Sequence, residues 1–163
     1  PLLFILYINK LSHSLQVATP DVPVIEGKLI PVLLYADDAV LIARTPIRRL
    51  IDKFVVFMKG LDLSTNYGKS KIMCCGPCSY KLPRIKVRDN QLDNVHDFPY
   101  LGITFNDRLT WSTHTSLSSQ KFSKALGAVL TLPWRTGSKA LEPLIQIYRQ
   151  QCILIATYGS GVW

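Results

Sequence analysis

The chain has no apolar run long enough to cross a membrane. Pro1 to Ile8 is apolar but far short of the roughly 18 residues a span needs, and no basic segment precedes it. A membrane anchor and a secretory leader are therefore not expected. Metal-ligand spacing is missing too. Cys74, Cys75 and Cys78 have no matching second pair, and His13, His96 and His114 are scattered, so a zinc site is not expected and the histidines read as structural or exposed. Acid is absent from Lys69 to Arg88, where bases stand at 69, 71, 81, 84, 86 and 88. An initiating Met is lacking as well, so the chain is expected to be a fragment.

What is present is a basic, globular sequence. Its 163 residues suffice for one sizeable core or one and a half small subdomains. The 48% hydrophobic share is that of a folded protein, and the net charge of +8 favours a polyanionic partner. Cys75-Gly76-Pro77-Cys78 spells the active-site motif of thiol oxidoreductases, but Pro83 follows too soon for the long helix that motif needs. Free thiols in a reducing compartment are expected, with a thiol oxidoreductase at Cys75 and Cys78 as the weaker alternative.

The organising stretch is a hairpin over residues 29–44, with Tyr35-Ala36-Asp37-Asp38 at its centre. Apolar strand formers flank two adjacent acids, so Leu33 to Tyr35 should pair antiparallel with Ala39 to Leu41. Asp is a good turn residue, yet adjacent carboxylates repel, and between buried strands they need a cation. Hard divalent cations take such oxygen ligands, as in two-metal phosphoryl transfer.

Elsewhere the periodicity predicts four helices. Phe4, Tyr7, Ile8, Leu11 and Leu15 share one face; Ile47, Leu50, Ile51, Phe54, Met58 and Leu61 share another, after Thr45 as N-cap and Pro46. Ser112 caps a third helix to about Leu132, broken by Pro133 and Gly137. Ser138 caps a fourth with Leu141, Leu144, Ile145, Tyr148, Cys152 and Ile155 inward. Gln16 to Lys28 reads as a loop, Lys71 to Cys75 as strand-like, and Arg84 to Arg88 and Gln91 to Val95 as strands around an Asp89-Asn90 turn. Gly102 suggests a close backbone approach.

Taken in order, these motifs resemble the reverse transcriptases of non-LTR (LINE-type) retrotransposons. Tyr35-Ala36-Asp37-Asp38 looks like the catalytic palm hairpin. Asn66, Lys69, Ser70 and Lys71 resemble the segment after it, and Phe98 to Ile103, with Tyr100-Leu101-Gly102, looks like the primer-side hairpin. Tyr158-Gly159 and Val162-Trp163 resemble a thumb segment. The resemblance spans essentially the whole chain. It implies an α+β fold: a partial polymerase palm over 1–105, an antiparallel sheet with packed helices whose primer-side hairpin lies at 84–105, followed by a helical thumb-like segment over 106–163. It implies an RNA-directed DNA polymerase using Mg²⁺ or Mn²⁺ on an RNA template, a DNA primer and deoxynucleoside triphosphates. Asp37 and Asp38 would be the metal-binding catalytic residues, and Tyr35, Ala36, Lys69, Lys71, Tyr100, Leu101 and Gly102 would contact primer or nucleotide. A further carboxylate is expected upstream of Pro1, leaving the isolated chain inactive. The location would be nuclear or cytoplasmic, not secreted. The alternative is a nucleic-acid-binding remnant without chemistry.

Overall fold

The computed structural model describes residues 6–16, 22–44, 47–76, 84–87, 89–137 and 141–163. It is a mixture of helices and short two-stranded sheets, the α+β class expected. The chain forms two compact units, Pro1–Ser70 with Pro83–Asp93, and Lys71–Leu82 with Asn94–Trp163. The hairpin expected over 84–105 is instead two separate hairpins, one in each unit. Thr45, Pro46, Cys78 and Ser138 lie outside the described residues.

The first unit is built on two helices, α1 (Lys10–Gln16) and α2 (Ile47–Gly60). Apolar residues three and four apart face one way on each, so Leu11 and Leu15 of α1 meet Leu50 and Phe54 of α2 around Val32. Leu41, Ala43, Val55, Phe57 and Met58 pack against this cluster. Tyr7 departs from the expected buried face. It is half exposed and reaches the Leu61 carbonyl through its hydroxyl, 2.8 Å away, because a phenol needs a polar partner that an apolar core lacks. On the solvated side of α2, Arg48 and Asp52 form an i, i+4 ion pair at 3.1 Å.

Where a loop was expected after α1, Val24–Ile25 pairs with Lys28–Leu29 around Glu26-Gly27. Both turn residues have positive φ, the geometry of a tight hairpin turn, which Gly27 meets without strain. Next comes the Asp hairpin, Val32–Tyr35 against Asp38–Leu41. The third, Lys86–Val87 against Asn90–Gln91, turns one residue earlier than expected, so Asn90 pairs with Val87. Ile85 and Val87 are buried as their alternation requires.

In the second unit Asp97–Tyr100 pairs with Ile103–Asn106, and α3 (Ser112–Thr136) follows. Ser112 is not its cap. Trp111 holds that place without a side-chain hydrogen bond. Pro133 does not break the helix, since it sits in the last turn, where one lost N–H has few turns left to disrupt. Gly137 closes it in the left-handed conformation at φ 66°. Then come α4 (Leu141–Ile147), a π-helical segment (Tyr148–Ile153) and α5 (Leu154–Thr157). The expected inward face fails at Leu141 and Tyr148, both exposed, while Cys152, within the wide turns, is fully buried.

Leu50→Ala should lower the stability of the first unit by about 2–5 kcal/mol, because its side chain is wholly enclosed. Val56→Ala on the exposed side of α2 should change it by less than about 0.5 kcal/mol. Paired urea melts check both.

Candidate functional site

The Asp hairpin has a two-residue turn, Ala36-Asp37, rather than a longer one. Tyr35 faces Asp38 across the first rung, Leu34 faces Ala39, Leu33 faces Val40 and Val32 faces Leu41. Asp38 therefore begins a strand and Asp37 ends the turn, one register step from the expected pairing. The ladder continues to Ile42, whose N–H donates to Pro31 at 2.9 Å. The flanks are less buried than expected. Val32 is buried against α1 and α2, but Leu33, Leu34 and Tyr35 are all exposed, since among the described residues the sheet has two strands and its helical cover reaches only the end away from the turn.

Asp37 and Asp38 are both exposed. Water is what adjacent carboxylates require when no cation neutralises them. Ala36 carries φ +49°, a conformation that costs an L-residue roughly 1–2 kcal/mol. Glycine or asparagine would serve this turn with less strain. Strain held by surrounding structure concentrates at functional sites, and here it sits beside the two acids.

Lys69 belongs to the same unit and is presented by a local device. The Asn66 side-chain oxygen accepts the Lys69 N–H at 3.2 Å, and the Asn66 carbonyl accepts both the N–H and the hydroxyl of Ser70, at 3.1 and 2.8 Å. The Asn-x-x-Lys-Ser spacing is thus a self-closed turn that leaves Lys69 exposed.

Lys71, Tyr100, Leu101 and Gly102 lie in the second unit. Lys71 opens the short Lys71–Ile72 strand and is half-buried. Leu101 and Gly102 form the hairpin turn, both at positive φ, +49° and +81°. A side chain on Gly102 would come within 2.8 Å of the Tyr158 ring, and the Tyr158 hydroxyl donates to the Leu101 carbonyl at 2.9 Å. The close approach expected at Gly102 is therefore to Tyr158 of the same chain. Gly159, also left-handed, lies against Ile103, and the Trp163 indole N–H donates to the Tyr158 carbonyl at 3.0 Å. The Tyr-Leu-Gly and Tyr-Gly-x-x-x-Trp segments are one interlocked structure.

Sequence reasoning missed a histidine–carboxylate hydrogen bond in this unit. The imidazole Nδ1 of His96 donates to the Asp107 carboxylate at 2.6 Å, and the Asp107 N–H donates to the His96 carbonyl at 2.8 Å. Eleven residues and a hairpin separate them, so no local pattern announced the pair. The His96 hydrogen bond holds the Asp107 carboxyl below its ordinary range, with Arg108 adding to it. Burial and the Asp107 charge push the Cys75 thiol up. Reduced thiols are expected at all the cysteines; Cys75 and Cys152 are outside any disulfide, while Cys74 is disulfide-bonded, a correction to that expectation.

Among the described residues no group of three His, Cys, Asp or Glu side chains is arranged to hold a metal ion. Nor is any described helix long and apolar enough to cross a membrane. No protein-family model, curated protein or solved structure matches the chain.

Ala36→Gly should raise the stability of the first unit by about 1 kcal/mol by relieving the left-handed strain, read as a shift in the urea midpoint. In the second unit Asp107 has a depressed folded pKa. Its stabilisation is present above the ordinary value of 3.8 and is lost as pH falls through the lower folded value. Acid titration of Asp107→Asn should lack that part of the unfolding limb.

Proposed function

We propose that this chain is part of an RNA-directed DNA polymerase, contributing the acidic hairpin of a partial palm and the thumb-like helical segment after it. The observation that carries the reading is the pair Asp37 and Asp38, exposed side by side at the tip of a tight antiparallel hairpin. Supporting it are Lys69, presented by the Asn66 turn, and the docking of Tyr158-Gly159 on Leu101-Gly102. The basic surface suits RNA template and DNA primer, and an intracellular site of action goes with that substrate.

The donor set fits Mg²⁺ or Mn²⁺ in kind, since both ligands are hard carboxylate oxygens open to water, as such ions prefer. Asp37 and Asp38 would hold the ion, which when bound stabilises charge on the transferring phosphoryl group. The chain's own part is positional. The hairpin ladder fixes both carboxylates, Tyr35 stands opposite Asp38 where a primer end would rest, and Lys69 would meet triphosphate oxygens. The thiol reading loses ground, because a raised Cys75 pKa makes a poor nucleophile.

Mn²⁺ titration followed by proton relaxation separates the polymerase reading from a remnant without metal chemistry. Weak saturable binding lost in Asp37→Asn/Asp38→Asn, but kept in Asp62→Asn, is the expected result. Binding indifferent to the double change would end the metal reading. The isolated chain is expected not to extend a primer, since the described residues bring together two carboxylates and not three. Its affinity for RNA–DNA duplex should fall linearly with salt on logarithmic axes, without sequence preference.

A further inference from the structure

The second half of α3 packs beside α4 within the second unit. Between them lies a groove of about 220 Å³. Leu126, Val129, Leu130 and Pro133 of α3 form one wall, and Leu144 and Ile145 of α4 form the other. Val129 is almost wholly enclosed and makes the floor. Tyr148, whose ring meets Phe122 of α3 edge-on at 6.5 Å, also lines the groove. No lining residue carries a charge.

The apolar surface continues past the groove. Leu130 and Leu141, one on each wall, are 63% and 67% exposed. Trp134 follows Leu130 by one helical turn, so it extends the same rim, and it is 90% exposed. Single exposed leucines are ordinary, but a continuous apolar patch with a bare tryptophan marks a contact surface.

Shape and charge decide what covers it. The groove is smaller than the roughly 300 Å³ at which small-molecule pockets begin, so it takes inserted side chains. A second copy brings the same charge, since each chain carries +8. From Leu126 to Arg149 the sequence sets Arg135, Lys139 and Arg149 against Glu142 alone, and no other acid occurs between Arg108 and Trp163. A bilayer surface would touch the projecting Leu130, Trp134 and Leu141 and leave the floor unfilled. A helix with a ridge of apolar side chains fills the groove and covers the rim together. Acidic residues beside that ridge suit the basic surroundings.

We propose that this groove docks an acidic amphipathic helix of a partner protein, with apolar anchors at i, i+3, i+4 and i+7. The anchors seat on Val129 between the two walls, and Leu130, Trp134 and Leu141 close over them. Arg149, exposed beside Tyr148, meets an acidic flank. The surface is independent of the Asp37 hairpin and stands or falls without it.

The test is a titration of the full chain with a labelled synthetic helix peptide, leucines at those spacings and glutamates on its other face. Peptide anisotropy reads binding. Tryptophan emission reads Trp134, the most exposed of the three indoles. Saturable binding with a blue shift is expected, and Trp134→Phe should abolish the shift. A peptide with lysines for glutamates, and one of scrambled order, should each bind about ten-fold more weakly. Leu130→Gln, at an exposed position, should weaken the glutamate peptide about ten-fold. Leu154→Gln, equally exposed in the same unit but outside the groove lining, should leave it unchanged. The proposal is overturned by an absence of saturable binding, by equal affinity for the scrambled or lysine peptide, or by equal losses in the two leucine variants. A blue shift on concentrating the chain alone would give the groove to a second copy. A shift with phosphatidylserine vesicles and not with the peptide would give it to a bilayer. Either result also overturns the proposal.

Discussion

Two neighbouring carboxylates cannot both leave water unless a cation accompanies them, and the first unit is arranged around that requirement. Its core lies at the far end of the Asp hairpin, where Val32 and Leu41 pack with α1 and α2. The tip, with Tyr35, Asp37 and Asp38, stands clear of that core. A two-residue turn is the shortest way to reverse the chain, and it leaves the acids no length in which to fold away. Ala36 absorbs the backbone cost. The strain is tolerable because the four cross-strand pairs below it, and the Ile42 to Pro31 bond beyond, hold the strands in register.

The second unit depends on a different constraint, the absence of a side chain at Gly102. That bare backbone lets the Tyr158 ring settle on the hairpin turn, and the ring then satisfies its hydroxyl on the Leu101 carbonyl. Trp163 returns to the Tyr158 carbonyl, and its ring stands edge-on to His114, which in turn holds the Thr104 N–H. Hairpin, α3 and chain end are therefore joined through one set of aromatic and backbone contacts. The π-helical segment shifts the phase of the last helix, so that Cys152 is enclosed while Leu154, Ile155 and Tyr158 line a cleft against α3.

Much of the local structure was legible because its cause is local. The buried face of α2 follows from Leu50, Ile51 and Phe54 at helical spacing. Ile85 and Val87 alternate with Lys86 as a half-buried strand must. The Glu26-Gly27 turn is harder to read, because Lys28 interrupts the apolar pattern after it and Pro20 and Pro23 suggest a loop. Helical spacing points Tyr148 inward, and nothing local reveals that the helix widens there. The disulfide at Cys74 and the His96–Asp107 pair were equally invisible, since each depends on how the chain returns on itself.

The sequence by itself determined the α+β class, the buried face of α2 and the hairpin that carries Asp37 and Asp38. Each of these follows from periodicity or from turn chemistry within a few residues. Only tertiary structure decided that Asp38 sits in a strand opposite Tyr35, that Gly102 receives Tyr158, and that His114 is enclosed with one nitrogen unpaired. Those outcomes turn on distances between segments up to 57 residues apart. Such distances are set by packing, which joins residues that share no local pattern.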